Sequence, residues 1–198
     1  MLSGGFDSTV LAAWKKPEKA YFVDYGQPAS KPELHAAHKV AKHLGIELEV
    51  INVTGFHLGS MADPTGNAGP RVVAARNLLL VSIGTNRAAA DGLGTLMIGA
   101  TSGDRAAYAD CRAEFFDALS ALSQSTCGVK VAAPLVKLSK VEVAALAMEC
   151  RAPIGLSWSC YTPNGVEPCG ACNACAERSL IFDDSTAGVT LDPCEPIS

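Results

Sequence analysis

A doubly wound α/β fold, with a small cysteine-bearing element toward the C-terminal end, is what this sequence predicts. Three observations predict it: short β-branched or aromatic runs recur along the chain, helix-period stretches separate them, and a double-glycine turn opens the first helix. Strands that alternate with helices build a parallel sheet, and ligands of such sheets bind beyond the carboxyl ends of the strands.

The turn comes first. Ser3-Gly4-Gly5-Phe6-Asp7-Ser8 precedes a helix over Ser8 to Trp14. Adjacent glycines let the backbone take positive φ and approach a ligand, so that successive N–H groups converge on an anion. Ser3 and Ser8 add hydroxyls, the helix N-terminus adds its positive end, and Asp7 is placed to orient the turn or help hold Mg²⁺. A plain glycine turn capped by Asp7 or Ser8 is the bland alternative. Only Met1 and Leu2 stand before it, so the first strand is either very short or begins outside this sequence.

Strands follow at Ala20 to Asp24, Leu48 to Val53, Thr95 to Ala100 and Val129 to Ala133, each short and apolar enough to be buried on both faces. Between them, Leu34, Ala37, Ala41 and Leu44 share one helical face, and alanine-rich Val72 to Ala90 is long enough for several turns. Glu114 to Leu122 reads as a helix. So does Ser139 to Glu149, with Val141, Ala145 and Met148 aligned. His35, His38 and His43 read as a solvated face of the second helix.

From Pro153 the pattern becomes rich in Cys, Gly and Pro. This divides the chain into an α/β domain over 1–152 and a metal-knit element over 153–198. Cys160, Cys169, Cys172 and Cys175 stand as C-x8-C-x2-C-x2-C, a spacing whose four soft ligands suit a closed tetrahedral Zn²⁺ site with no position for a catalytic water. An iron–sulfur cluster is the chief rival, because three of these cysteines also match C-x2-C-x2-C. A redox CxxC pair is weaker. Cys127, Cys150 and Cys194 read as ordinary buried or tail cysteines, and Cys111 as a residue without a nucleophilic role.

Composition narrows the partners. With 48% hydrophobic residues the chain has ample core, and a formal charge of −4 argues against direct binding to nucleic-acid backbones, which needs a basic surface. No run of eighteen apolar residues and no signal-peptide pattern occurs, which leads to the expectation of a cytoplasmic protein with no membrane partner.

SGGFDS lacks the GK[ST] of a Walker loop and resembles the SGGxDS loop of the N-type ATP pyrophosphatases. Together with SCYTPNGVEPCGACNAC near the other end, it is similar to the 7-cyano-7-deazaguanine synthase family of queuosine biosynthesis. Motifs between the ends follow the family's order. Asp24-Tyr25-Gly26-Gln27 resembles its DYGQ, Ala75-Arg76-Asn77 its xRN, and Tyr108-Ala109-Asp110-Cys111-Arg112 with Glu114-Phe115 its YPDCRxEF. Pro134-Leu135 leading to Lys140 resembles its PL…K, and Ser157 to Tyr161 its [ST]xSCY.

The resemblance implies a Rossmann-like ATP pyrophosphatase domain with structural zinc, often assembled as a homodimer. It implies an ATP-dependent carbon–nitrogen ligase that converts 7-carboxy-7-deazaguanine and ammonia to the nitrile through adenylated intermediates. ATP would be bound by Leu2, Ser3, Gly4, Gly5, Phe6, Asp7, Ser8, Thr9 and Gln27. Arg76, Asp110, Arg112 and Lys140 would serve the reaction, the three cations by offsetting the charge of carboxylate against phosphate. Asn77, Asp104 and Tyr108 would bind the deazapurine, Asp104 or Asp110 reading its N–H groups and Tyr108 stacking on its ring.

Three positions depart from the pattern. Pro28-Ala29-Ser30-Lys31-Pro32 replaces the family's Arg-His after DYGQ, Ala74 replaces the Pro before xRN, and Phe6 replaces Gln. The changed loop lies at a strand's carboxyl end and leaves open a relative that adenylates a different acid for amidation, nucleic-acid modification or conjugation. A non-catalytic zinc-knit binding module is the reading from another class.

Overall fold

The computed structural model describes residues 1–58, 73–103, 108–164 and 167–185, with the side chains of 182–185 outside the description. The fold is α/β with parallel strands. Its elements are α1 (Phe6–Lys15), β1 (Lys19–Asp24), α2 (Ser30–Leu44), β2 (Glu47–Asn52), α3 (Arg76–Ala90), β3 (Thr95–Met97), α4 (Ala113–Cys127), β4 (Lys130–Ala132), α5 (Lys140–Glu149) and α6 (Asn173–Ser185). Short 3₁₀ turns lie at Ala109–Cys111 and Ile154–Leu156.

The chain divides into two compact units, one of residues 1 and 56–140, the other of residues 2–55 and 141–198. In the second unit β1 pairs in parallel with β2, from Lys19 opposite Glu47 to Asp24 opposite Asn52. Ala20 to Val23 are buried. Leu2, Ala12, Ala20, Phe22, Ala37, Val40 and Ala41 form a core with Leu34, Leu44, Ile46 and Leu48 packed against it. Apolar residues at helical spacing on α2 thus meet the strand's continuous apolar run. Leu2 donates its N–H to the Tyr21 carbonyl at 2.8 Å, which ties the residue before the turn to β1.

In the first unit β3 pairs in parallel with β4, Thr95 opposite Lys130 and Met97 opposite Ala132. Gly84 on α3 lets the helix approach β3 closely, since a Cβ there would press on the Leu96 methyls and the Met1 sulfur. The Met1 amine donates to the Met97 carbonyl at 2.7 Å, and burial pushes its pKa down to about 5.

All four expected strands and the expected helices form, with three differences. The third helix begins at Arg76 rather than in the low seventies, because Ala75 sits in the left-handed region at φ 55°, which does not propagate a right-handed helix; Val72 itself lies outside the described residues. The fourth helix runs five residues past Leu122. There Ser125 and Thr126 return their hydroxyls to the Leu122 carbonyl at 2.8 and 2.9 Å, so polar residues are absorbed into helix until Gly128 ends it at φ 75°. On α5 the stripe of Val141, Ala145 and Met148 is exposed, and Val143, Ala144 and Ala147 face inward instead. His38 and His43 are exposed as expected, while His35 is half-buried.

Candidate active site and metal centre

The glycine turn belongs to the second unit. Gly4 has φ 76°, and a side chain there would run into the Glu33 carbonyl and the Ala37 N–H of α2. This glycine is required twice over, by its conformation and by the helix it lies against. Gly5 is different: its φ is −74° and its ψ 166°, an extended conformation open to any residue, and it opens α1 with no side chain capping the first N–H groups. A helix N-terminus of this kind presents its first N–H groups at the positive end of the helix, where an anion is favoured. The hydroxyls order the turn. Ser8 donates to the Gly5 carbonyl at 3.0 Å and stands 3.1 Å from Ser3 Oγ, which accepts from Gly5 N–H at 3.4 Å.

Around the turn, Leu2, Phe6, Ser8 and Thr9 are buried, Thr9 completely, while Gly5 and Asp7 are half-buried and Ser3 is exposed. The Leu2 side chain lies in the core, which leaves only its backbone beside the turn. Gln27 is also buried, and its amide holds its own loop. Its Oε1 accepts from Tyr25 N–H at 3.0 Å, and its Nε2 donates to Glu33 Oε2 at 3.1 Å. Asp24 closes the same bend by accepting from Gly26 N–H at 3.0 Å.

The four cysteines meet in this same unit. Cys160, Cys169, Cys172 and Cys175 bring their sulfurs within 4.8 Å of one another. A tetrahedral ion with metal–sulfur bonds of ~2.3 Å sets its thiolates roughly 3.8 Å apart. The cluster therefore needs only a small contraction to close on one soft ion, whereas a cube of four irons and four sulfides would hold its thiolates wider than one ion does. The backbone is already arranged for ligation. A two-stranded bend pairs Asn164 with Glu167 between the first two cysteines, and Gly170 turns at φ 69° between the second and third. Cys169 N–H points at Cys160 Sγ at 3.2 Å and Cys172 N–H at Cys169 Sγ at 3.4 Å.

The thiols differ in acidity before any metal arrives. The Thr162 hydroxyl, followed by the Ala171 N–H, holds Cys169 down to about 6, while burial pushes Cys160 and Cys175 up. Metal binding must expel the protons that Cys160 and Cys175 still carry at neutral pH. Raising the pH removes that competition. We expect metal affinity, measured by chelator competition at pH 6.5 and 7.5, to rise at least about 100-fold over that unit, since Cys160 and Cys175 each give up a proton to the solvent. A pH-independent affinity would contradict the assignment.

Two residues with no expected role hold this lobe. Trp158 is buried against Ala36, Cys160 and Cys175. Its indole N–H donates to the Cys160 carbonyl and its backbone N–H to the Gly4 carbonyl, each at 2.8 Å. Arg178 on α6 donates from Nη1 to the Ser157 and Ser159 hydroxyls at 2.9 and 3.2 Å, and from Nη2 to the Ile154 carbonyl at 3.1 Å. Nothing in the local sequence distinguishes this arginine from a surface one.

Arg76, Asn77, Tyr108, Asp110, Arg112 and Lys140 belong to the first unit. Asn77 and Asp110 are brought together. Asp110 Oδ2 accepts from Asn77 N–H at 3.0 Å, capping α3, whose own N-cap Ala75 has no side-chain acceptor. The Asn77 amide donates to the Asp110 carbonyl at 2.9 Å and to Cys111 Sγ at 3.2 Å. Asn77 is buried, and its side chain is engaged in this junction. Arg112 is exposed, while Arg76, Tyr108 and Lys140 are half-buried. Asp104 lies outside the described residues.

Comparison with known proteins decides the family. The family model described as Queuosine biosynthesis protein QueC matches residues 1–186. The chain belongs to the QueC family. Among curated relatives, the 7-cyano-7-deazaguanine synthase of Synechococcus sp. (strain CC9605) is 34% identical over 93% of this chain and 92% of its own. That of Chlorobium phaeovibrioides is 33% identical over 92% and 90%, and that of Methanospirillum hungatei 32% over 92% and 92%. A solved structure, the U34-tRNA thiolase NcsA from Methanococcus maripaludis with its [4Fe-4S] cluster, is similar with a TM-score of 0.55 at 22% identity. It covers 92% of this chain, which in turn spans 63% of that protein. At that identity the thiolase shares the ATP pyrophosphatase fold with this QueC family member, and the likeness extends no further than fold.

No described helix is long and apolar enough to cross a membrane.

Proposed function

We propose that this chain is a 7-cyano-7-deazaguanine synthase. The observation that carries the reading is the QueC match over residues 1–186, which spans both the glycine turn and the four-cysteine cluster. In this reading the turn residues Ser3, Gly4, Gly5 and Ser8, with the open N-terminus of α1, grip the phosphates of ATP, and Asp7 helps hold Mg²⁺. The carboxylate of 7-carboxy-7-deazaguanine attacks the α-phosphate and expels diphosphate. Ammonia then displaces AMP to give the amide. A second ATP adenylates the amide oxygen, and loss of AMP and a proton leaves the nitrile.

Each adenylation presses an anion or a carbonyl oxygen against a triphosphate. Arg76, Arg112 and Lys140 are the cations assigned to offset that charge. Asp110, anchored at the head of α3, and Tyr108 beside it are assigned to the deazapurine ring together with Asp104. Zn²⁺ is the ion assigned to Cys160, Cys169, Cys172 and Cys175. It supplies cross-linking of the C-terminal element, residues 153–198, and no chemistry, because four thiolates leave it no open position. A cytoplasmic homodimer completes the reading.

Mass spectrometry of the product formed from 7-carboxy-7-deazaguanine, ATP and ammonium tests it. The nitrile with two AMP released per molecule is expected. Accumulated amide would restrict the enzyme to the first half-reaction. Absence of AMP with this acid, and its appearance with another, would transfer the activity to a different carboxylate, and the changed loop from Pro28 to Pro32 is where such a difference would arise.

A further inference from the structure

We propose that Trp158 is a positioning residue that couples the four-cysteine metal centre to the phosphate turn, so that metal occupancy sets the affinity for ATP. The inference rests on the ATP-dependent reading above and goes beyond a merely structural metal. Its basis is a short hydrogen-bonded path through one buried side chain. Cys160 Sγ lies in the cluster and is met by Cys169 N–H at 3.2 Å. The Cys160 carbonyl accepts from the Trp158 indole at 2.8 Å, and the Trp158 backbone N–H donates to the Gly4 carbonyl at 2.8 Å.

Both ends of this path are constrained by their surroundings. Gly4 is pressed against Ala36 and Ala37 of α2, and Ala36 also packs in the group formed by Trp158, Cys160 and Cys175. Gly4 therefore touches the metal lobe through a backbone bond on one side and through α2 on the other. Arg178 fixes the segment that carries Trp158 by holding Ile154, Ser157 and Ser159 from α6, the helix on which Cys175 sits. An ion that draws the four sulfurs together fixes Cys160 and Cys175, hence both attachments of the 154–160 segment, hence the Gly4 carbonyl. The orientation of a peptide carbonyl also sets the direction of the next N–H, that of Gly5, which opens the anion-facing end of α1. Such coupling is reciprocal: if the metal strengthens ATP binding by some factor, ATP must strengthen metal binding by the same factor.

The test uses the full chain loaded with zinc and an ATP analogue that cannot be cleaved between its α and β phosphates. Calorimetry is expected to show binding about tenfold weaker after the metal is removed by chelation, and metal competition is expected to show the ion held about tenfold tighter when the analogue is present. Trp158→Phe keeps the backbone N–H and most of the ring but deletes the indole donor. Loaded with metal, it should bind the analogue about tenfold more weakly and raise KM for ATP, leaving KM for the carboxylate substrate unchanged.

In a Trp14→Phe background, where Trp158 is the sole tryptophan, its emission should respond to the analogue in the loaded protein. Equal analogue affinity in loaded and stripped protein, or full coupling retained in Trp158→Phe, would overturn the proposal. If stripping unfolds the chain, the loaded Trp158→Phe protein decides: weaker analogue binding at full metal content supports the coupling, and wild-type affinity overturns it. Failure of every form to bind the analogue would sink the ATP reading along with the coupling, whereas equal binding in all forms sinks the coupling alone.

Discussion

Alanine at position 4 should abolish AMP release and lower the melting temperature, while alanine at position 5 should leave the melting temperature nearly unchanged. Two penalties fall on Gly4→Ala. A φ of 76° costs a residue with a Cβ about 1–2 kcal/mol, and the new methyl group is aimed at backbone atoms of α2, the Glu33 carbonyl and the Ala37 N–H, which no rotamer change can move. The turn must shift bodily. Displacement of a phosphate cradle by about 1 Å costs on the order of 100-fold in rate, so kcat/KM for ATP should fall at least that far. At Gly5 the same methyl group meets Ser3 Oγ at 3.4 Å and the Trp158 carbonyl at 3.8 Å with the backbone extended, and Gly5→Ala should cost stability only about 1 kcal/mol or less. A Gly4→Ala enzyme that melts and turns over like the parent would refute this account of the turn.

Cys172→Ser should remove the bound metal and lower the melting temperature by roughly 10 °C, a drop that corresponds to several kcal/mol in a chain of this size. Cys172 immediately precedes α6 and its Sγ stands 3.5 Å from Cys175 Sγ, so loss of its thiolate opens the site and also loosens the start of the helix that carries Cys175 and Arg178. Metal analysis and thermal melts check it. A serine variant with a normal melting temperature but slow turnover would point to a metal with a chemical role, contrary to the closed four-thiolate site.

How much of this was legible beforehand varies with how local the signal is. The four strands are short apolar runs, and each appears within a few residues of its expected place, because continuous burial leaves a mark in sequence that needs no partner to be read. The phase of α5 was not legible. Val141 and Val143 are about 200° apart on a helix wheel, each heads a plausible stripe through alanines, and only the packing selects Val143. The four cysteines were legible from spacing alone. The bond of Asn77 to Asp110 was not, because it joins distant segments; it gives two residues expected at the substrate a place at the head of a helix as well. Gln27 is a similar case, its amide being engaged by Tyr25 and Glu33. Trp158 and Arg178 carry no local pattern at all; their importance lies in what they touch.

The division of the chain into units has a consequence for the order of assembly. The unit that carries the glycine turn is discontinuous: residues 2–55 must wait for residues 141–198 before the Gly4 carbonyl can meet Trp158. Residues 56–140 lie between and can close on themselves earlier, apart from Met1. Contacts of such long sequence separation form slowly, because the intervening chain must be immobilised before they return any stability. During synthesis from the N-terminus, the glycine turn and its surroundings are thus begun first and finished last, their completion coinciding with the arrival of the four clustered cysteines.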